Sequence, residues 1–146
     1  MAPPVYQESM MFLKSVVSWG LMLFVLPLWA AVIDIDNAEL TRLTAAGVPL
    51  VDIRTAEEWR ETGLIAGSRP ITFADSRGRV DAPAWLAKIQ AVAQPGQPLI
   101  LICRSGNRTQ AASRLLVEQA GYQQVYNVKK GLRAWLGEGR PVTPWP

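Results

Sequence analysis

Short apolar runs alternate with capped helical patterns along most of this chain, and that alternation leaves few folds open to it. PLVDI (49–53) and LILIC (99–103) are too short for helices and nearly continuous in apolar residues, the pattern of strands buried on both faces. Between such runs the helix signals recur. Asp36 with Glu39, and Thr55 with Glu58, have capping-box spacing, so NAELTRLTAA and AEEWRET are expected helices that Gly47 and Gly63 end. Strands separated by helices need crossover connections, which set the strands parallel and cover the sheet on both faces. The expected fold class is α/β, with one domain over residues 31–146.

The other segments extend the pattern. PITF (70–73) reads as a strand, DSRGR (75–79) as a polar turn, and Asp81 caps a helix through APAWLAKIQAVA. QPGQP (94–98) is a loop, and LILIC, the most hydrophobic short run of residues 31–146, belongs at the centre of the sheet. From Thr109 to Ala120, Ala112, Leu116 and Ala120 recur four apart beside Leu115, an amphipathic helix that Gly121 terminates. QVYNV (124–128) gives a strand and LRAWLGEG (132–139) a last helix; the tail PVTPWP is expected to pack loosely or wrap the surface.

Composition narrows the chemistry. A chain of 146 residues, 49% hydrophobic and 18% charged, is an ordinary globular composition at one-domain length, which excludes disorder and fibres. There is no His, so Ser-His-Asp and Cys-His catalysis cannot be run within this chain, and a zinc site has no imidazole to use. A single Cys excludes an internal disulfide or a thiolate cluster. No metal and no cofactor are expected, and any thiol chemistry rests on Cys103. Trp59, Trp85 and Trp135 fall on expected helices and read as core or pocket-wall residues.

No charge occurs between Lys14 and Asp34, a stretch of 19 residues. The basic flank, the apolar run reaching Pro27 and the small residues Ala30 and Ala31 make a signal peptide cut after Ala30, although Leu28 stands where a small residue is preferred. The alternative is an uncleaved membrane anchor, since about 20 apolar residues span a bilayer. Residues 1–30 are thus expected to be an N-terminal extension plus signal or anchor, with Met10 or Met11 a more natural start than Met1. Either reading places the domain outside the cytoplasm, periplasmic or exported, and the membrane is a partner only if the segment stays uncleaved. Removing Lys14 and Glu8 leaves 14 basic and 11 acidic residues, too small and scattered an excess for nucleic acid but favourable to a small anionic substrate. In an oxidising compartment a lone Cys points to a reactive thiol.

The residues after LILIC carry the chemistry. Ligands in open α/β sheets bind beyond the carboxyl ends of the strands, and this strand delivers Cys103 there. Arg104, Ser105, Gly106, Asn107 and Arg108 follow, small, polar or basic, and then Thr109 opens the helix. Such a turn aims successive backbone N–H groups into a concave nest above a helix N-terminus, which favours a thiolate at its centre without an imidazole. Gly106 supplies the positive φ that a tight cradle needs. Arg104 and Arg108 are expected to hold a dianionic substrate. An inert buried cysteine is the plain alternative for Cys103, and the RSGNR sequence behind it argues against that.

C-R-S-G-N-R-T (103–109) after an apolar strand, together with D-I-R-T-A-E-E-W-R-E-T-G-L-I-A-G-S (52–68), resembles the rhodanese family of sulfurtransferases, over about residues 33–140. With its export segment the chain is similar to the small single-domain, phage-shock-type periplasmic thiosulfate sulfurtransferases. The resemblance implies that Cys103 is the nucleophile that accepts a sulfane sulfur and that Arg104 to Thr109 form its substrate cradle. It also implies that Asp52 and Arg54 are architectural. The implied partners are a small anionic sulfur donor such as thiosulfate and a cyanide or thiol acceptor. Two departures stand out. Gly63-Leu64-Ile65 replaces the Gly-His-Ile of many relatives, and Lys130-Gly131 replaces a Gly-Gly; Lys129 and Lys130 read first as a solvated pair, and alternatively as added positive potential near the site. The alternatives are a persulfide carrier or redox-sensing binding module, and a cysteine phosphatase or arsenate reductase. Phosphatases of the related fold place five residues between Cys and Arg, whereas four separate Cys103 from Arg108.

Overall fold

The structure, a computed structural model, describes residues 1–2 and 29–146. The expected signal or anchor lies almost wholly outside the described residues. Among the described residues no helix is long and apolar enough to cross a membrane.

Five strands form one sheet, β1 (Ala31–Ile35), β2 (Leu50–Asp52), β3 (Arg69–Pro70), β4 (Leu99–Ile102) and β5 (Gln124–Val128), in the order β1-β5-β4-β2-β3. Every pairing is parallel, and β4 is the central strand. Five helices connect them: α1 (Asn37–Ala45), α2 (Ala56–Thr62), α3 (Ala82–Gln90), α4 (Asn107–Gln119) and α5 (Gly131–Gly137). The alternation expected from the apolar runs is therefore the architecture found.

β4 divides the core because successive side chains point to opposite faces. Leu99, Leu101 and Cys103 join Trp85 and Ile89 of α3 and Ala112 and Leu116 of α4 on one face. Ile100 and Ile102 join Leu40 and Leu43 of α1 and Leu132 and Trp135 of α5 on the other. All four β4 residues are fully buried, a burial that stabilises by about 1.5–3 kcal/mol per large apolar side chain. The three helix tryptophans are buried as expected: Trp85 packs edge-on against Phe73, and Trp135 donates its Nε1–H to the Pro141 carbonyl.

Four details differ from the sequence expectation. β1 takes in Ala31 to Ile33, the end of the uncharged N-terminal stretch, because these residues pair with Gln124 to Tyr126 along the sheet edge. PITF contributes only Pro70 to the β3 ladder, although the Ile71 and Phe73 N–H groups still donate to the Asp52 and Ile53 carbonyls at 2.9 and 3.0 Å. α4 begins at Asn107 rather than Thr109, which shortens the loop after Cys103. The C-terminal tail is docked, not loose. Leu64 and Thr143 exchange two backbone hydrogen bonds of 2.9 and 2.7 Å, and Trp145 packs edge-on against Trp59 with ring centroids 5.5 Å apart.

At the strand tips a buried ion pair fixes β2 to α2. Arg54, 1% exposed, donates from Nε and Nη2 to both oxygens of Asp52, from Nη1 to the Thr62 hydroxyl and from Nη2 to the Gly63 carbonyl. Trp59 Nε1 donates to the same Asp52 carboxylate. Because every donor of the guanidinium is satisfied, the pair is tolerated in the interior, and removal of one member leaves an uncompensated charge. Arg54→Met should lower unfolding free energy by about 3–5 kcal/mol in chemical denaturation; a loss under about 1 kcal/mol contradicts the architectural role.

Candidate active site

Cys103 sits at the carboxyl tip of β4, and its side chain is almost completely covered, 1% exposed. The next residues curl back over it. Gly106 takes φ +98° and ψ −9°, and its N–H donates to Cys103 Sγ at 3.1 Å. Thr109, buried one turn into α4, holds its hydroxyl 3.5 Å from the sulfur while donating to the Gly106 carbonyl at 3.0 Å. The N–H groups of Arg104, Ser105, Asn107 and Arg108 find no protein acceptor among the described residues. Of the expected nest, the structure shows the Gly106 N–H directed at the sulfur at the tip of β4, with the start of α4 behind it.

The loop keeps this shape because a second turn presses on it. A Cβ on Gly106 would meet the Lys129 carbonyl oxygen at 2.0 Å, and one on Gly131 would meet the Arg104 carbonyl at 2.5 Å. Two backbones thus touch with no room for side chains, and both glycines hold the positive φ that L residues rarely adopt. The Leu132 and Arg133 N–H groups then donate to the Cys103 and Arg104 carbonyls at 2.8 and 3.0 Å.

The two arginines of the loop have different fates. Arg108 is clamped to Glu58 by two hydrogen bonds of 2.7 Å, from Nη1 and Nη2 to the two carboxylate oxygens. Glu58 at the same time caps α2, accepting from the Thr55 N–H at 3.0 Å. Burial alone would raise the Glu58 carboxyl, but the hydrogen bonds from Arg108 and Thr55 outweigh it and bring its pKa to about 2. Arg108 is held above the ordinary arginine range, first by its hydrogen bonds to Glu58 against the opposing effect of burial, then by the negative charges of Glu58 and Asp52. It is an ion-paired brace between α4 and α2 that also contributes positive potential at the sulfur. Arg104, by contrast, is exposed and pairs with no carboxylate among the described residues.

Beside the loop lies a cavity of about 180 Å³ between α2 and α5. Arg104, Arg133, Glu61, Thr62, Leu132 and Leu136 line it, with the Glu58 and Arg54 pairs behind. Cys103 is not among its lining residues. Ser105 is half-buried and Asn107 exposed at the start of α4. Lys129, an exposed side chain, approaches Asp34 at 3.6 Å and lines a different cavity with Lys130.

A family model for the rhodanese-like domain matches residues 36–138. The chain belongs to the rhodanese family. It is 29% identical over 114 residues to thiosulfate sulfurtransferase 18 of Arabidopsis thaliana, covering 76% of this chain and 83% of the relative. It is 32% identical over 112 residues to a sulfurtransferase of Allochromatium vinosum, covering 75% and 92%. Among solved structures, Rv0390 from M. tuberculosis superposes with a TM-score of 0.63 at 28% identity, over 77% of this rhodanese and 96% of that chain.

Sequence reasoning missed Glu58 as the partner of Arg108 and Arg133 as a second basic residue at the cavity. Glu58 carried a signal only as a capping residue, and its ion pair spans 50 positions. Because the folded carboxyl titrates near 2 and the ordinary value is 4.5, the Glu58 contribution is complete above pH 4.5 and is lost as pH falls from there toward 2. Glu58→Gln should cost about 1–2 kcal/mol at pH 6, and the gap between wild type and variant should close as the pH approaches 2. A gap that does not change with pH contradicts this pairing.

Proposed function

We propose that this rhodanese is a thiosulfate sulfurtransferase that works through a persulfide on Cys103. The observation that carries this reading is the Gly106 N–H directed at the Cys103 sulfur from a loop whose remaining N–H groups find no acceptor among the described residues. Such a site stabilises negative charge on the nucleophile before and after it takes up sulfur, and needs no general base.

The Cys103 thiolate attacks the outer sulfur of thiosulfate. A new sulfur–sulfur bond forms, the bond to the sulfonate sulfur breaks, and sulfite leaves with the electron pair. The product is a persulfide anion in the same nest, one sulfur atom further out. Cyanide or a thiol then attacks that outer sulfur, and the Cys103 thiolate is regenerated as the leaving group. Arg104 to Thr109 form the cradle in this account, and they divide the work. Gly106 and the free N–H groups face the charge, Thr109 and Arg108 hold the loop, and Arg104 meets the incoming anion.

The sulfurtransferase names of the relatives support the reaction class. Its stereochemical demand also suits this loop, since a cradle with four residues between Cys103 and Arg108 encloses a single sulfur atom more closely than a tetrahedral phosphoryl group. Cys103→Ser should retain the folding transition of the wild type and lose thiosulfate-dependent thiocyanate formation by at least about 1,000-fold. A serine variant that still turns over at the wild-type rate overturns the reading.

We further propose that the domain is exported to the periplasm with its signal removed after Ala30. β1 begins at Ala31, so such a cut leaves the sheet whole. A membrane span could use only the uncharged residues 15–30 without unpairing β1, which is shorter than the roughly 20 that a bilayer requires. The mature chain isolated from cells should begin at Ala31 and fractionate with the periplasm; recovery of the uncut chain in the membrane fraction overturns this.

A further inference from the structure

The cavity beside the loop contains more charge than the loop itself provides, and most of it is already neutralised. Asp52 balances Arg54, and Arg108 balances Glu58. Arg104 and Arg133 remain as exposed guanidinium groups with no carboxylate partner among the described residues, opposed within the cavity only by the exposed Glu61. Arg133 is not there by chance of a long side chain. Its backbone N–H donates to the Arg104 carbonyl at 3.0 Å, which ties the two residues together at the contact between α5 and the loop. Gly131 permits that contact, because any side chain there would strike the Arg104 backbone.

We propose that Arg133 is the second anion-binding and specificity-determining residue of this site, acting with Arg104 on the sulfonate end of the donor, in the place the sequence suggested for Arg108. The inference rests on the sulfurtransferase reading for the identity of the donor, and on the cavity alone for the anion subsite. When the Cys103 thiolate takes the outer sulfur, two negative charges depart on sulfite, and the two guanidinium groups line the cavity beside the Cys103 loop. Leu132 and Leu136 form the apolar part of the lining of the same cavity. Arg108 cannot take this part without surrendering both hydrogen bonds to Glu58. Arginine suits the task because its planar fork meets two oxygens of an oxyanion at once.

Two readouts separate this proposal from the reaction it serves. The first uses alkylation of Cys103 in the full-length domain by iodoacetate, which is anionic, and by iodoacetamide, which is neutral. Arg133→Gln should lower the ratio of the two rates by about threefold or more, Arg133→Lys should recover most of it, and Arg114→Gln, an equal charge loss on exposed α4 outside the cavity, should leave it unchanged. The second is steady-state turnover: Arg133→Gln should raise KM for thiosulfate about tenfold with kcat retained within about threefold, and should affect a monoanionic thiosulfonate donor less. If Arg133→Gln alters neither the rate ratio nor the KM while Cys103→Ser is inactive, Arg133 has no such role and the proposed reaction stands. If the rate ratio falls but thiosulfate is not turned over by the wild type, the anion subsite stands and the donor assignment fails.

Discussion

The Gly106 N–H can reach the Cys103 sulfur only because two stretches of backbone touch. Lys129 to Gly131 lies against Arg104 to Gly106 so closely that neither glycine could bear a methyl group, and the start of α5 holds the loop carbonyls by hydrogen bonds. With its carbonyls turned toward α5, the loop has its N–H groups left for the sulfur and for whatever the sulfur carries. A side chain at either glycine would force the turns apart and open the nest. The parallel sheet serves this contact by bringing β4 and β5 side by side, so that the segments following each strand emerge as neighbours.

Charge at the strand tips is arranged in two kinds. Asp52–Arg54 and Glu58–Arg108 are internally balanced and mechanical: the first joins β2 to α2, the second joins α2 to α4. Three of the four residues, Asp52, Arg54 and Glu58, come from one short segment, residues 52–58, and the fourth, Arg108, from the cysteine loop itself. Arg104 and Arg133 pair with no carboxylate among the described residues and line the open cavity. A buried pair that is fully satisfied adds rigidity at little net gain in stability, whereas an unpaired guanidinium at a cavity mouth retains its attraction for an anion. The absence of histidine from the chain is consistent with this division, since the reaction proposed for this site calls on charge stabilisation rather than on an imidazole base.

Much of this was legible in the sequence. The apolar runs at 49–53 and 99–103 gave two buried strands and the place of β4 at the centre; the Thr55–Glu58 spacing gave a complete capping box; Cys103 and Gly106 gave the nest. What escaped it had a physical reason in each case. β1 was not singled out as a strand, although the domain was set to begin at Ala31, because its first three residues close the uncharged N-terminal run and carry no turn signal before them. α4 began earlier than its apolar periodicity because Gly106 serves as its N-cap without a side-chain signal. The Arg108–Glu58 pair and the position of Arg133 depend on three elements distant in sequence, and local spacing carries no trace of either. The tail was read as packing loosely or wrapping the surface, and of the two it wraps, with Thr143 bridging to Leu64.

The central claim is that one sulfur atom rests on Cys103 between donor and acceptor. Intact-protein mass measurement before and after exposure to thiosulfate, followed by fragmentation to locate the change, tests it most directly. The account predicts a gain equal to a single sulfur atom, confined to the peptide containing Cys103, that disappears when cyanide is added and reforms on renewed exposure through repeated cycles. No gain, or a gain that cyanide fails to clear, would contradict it.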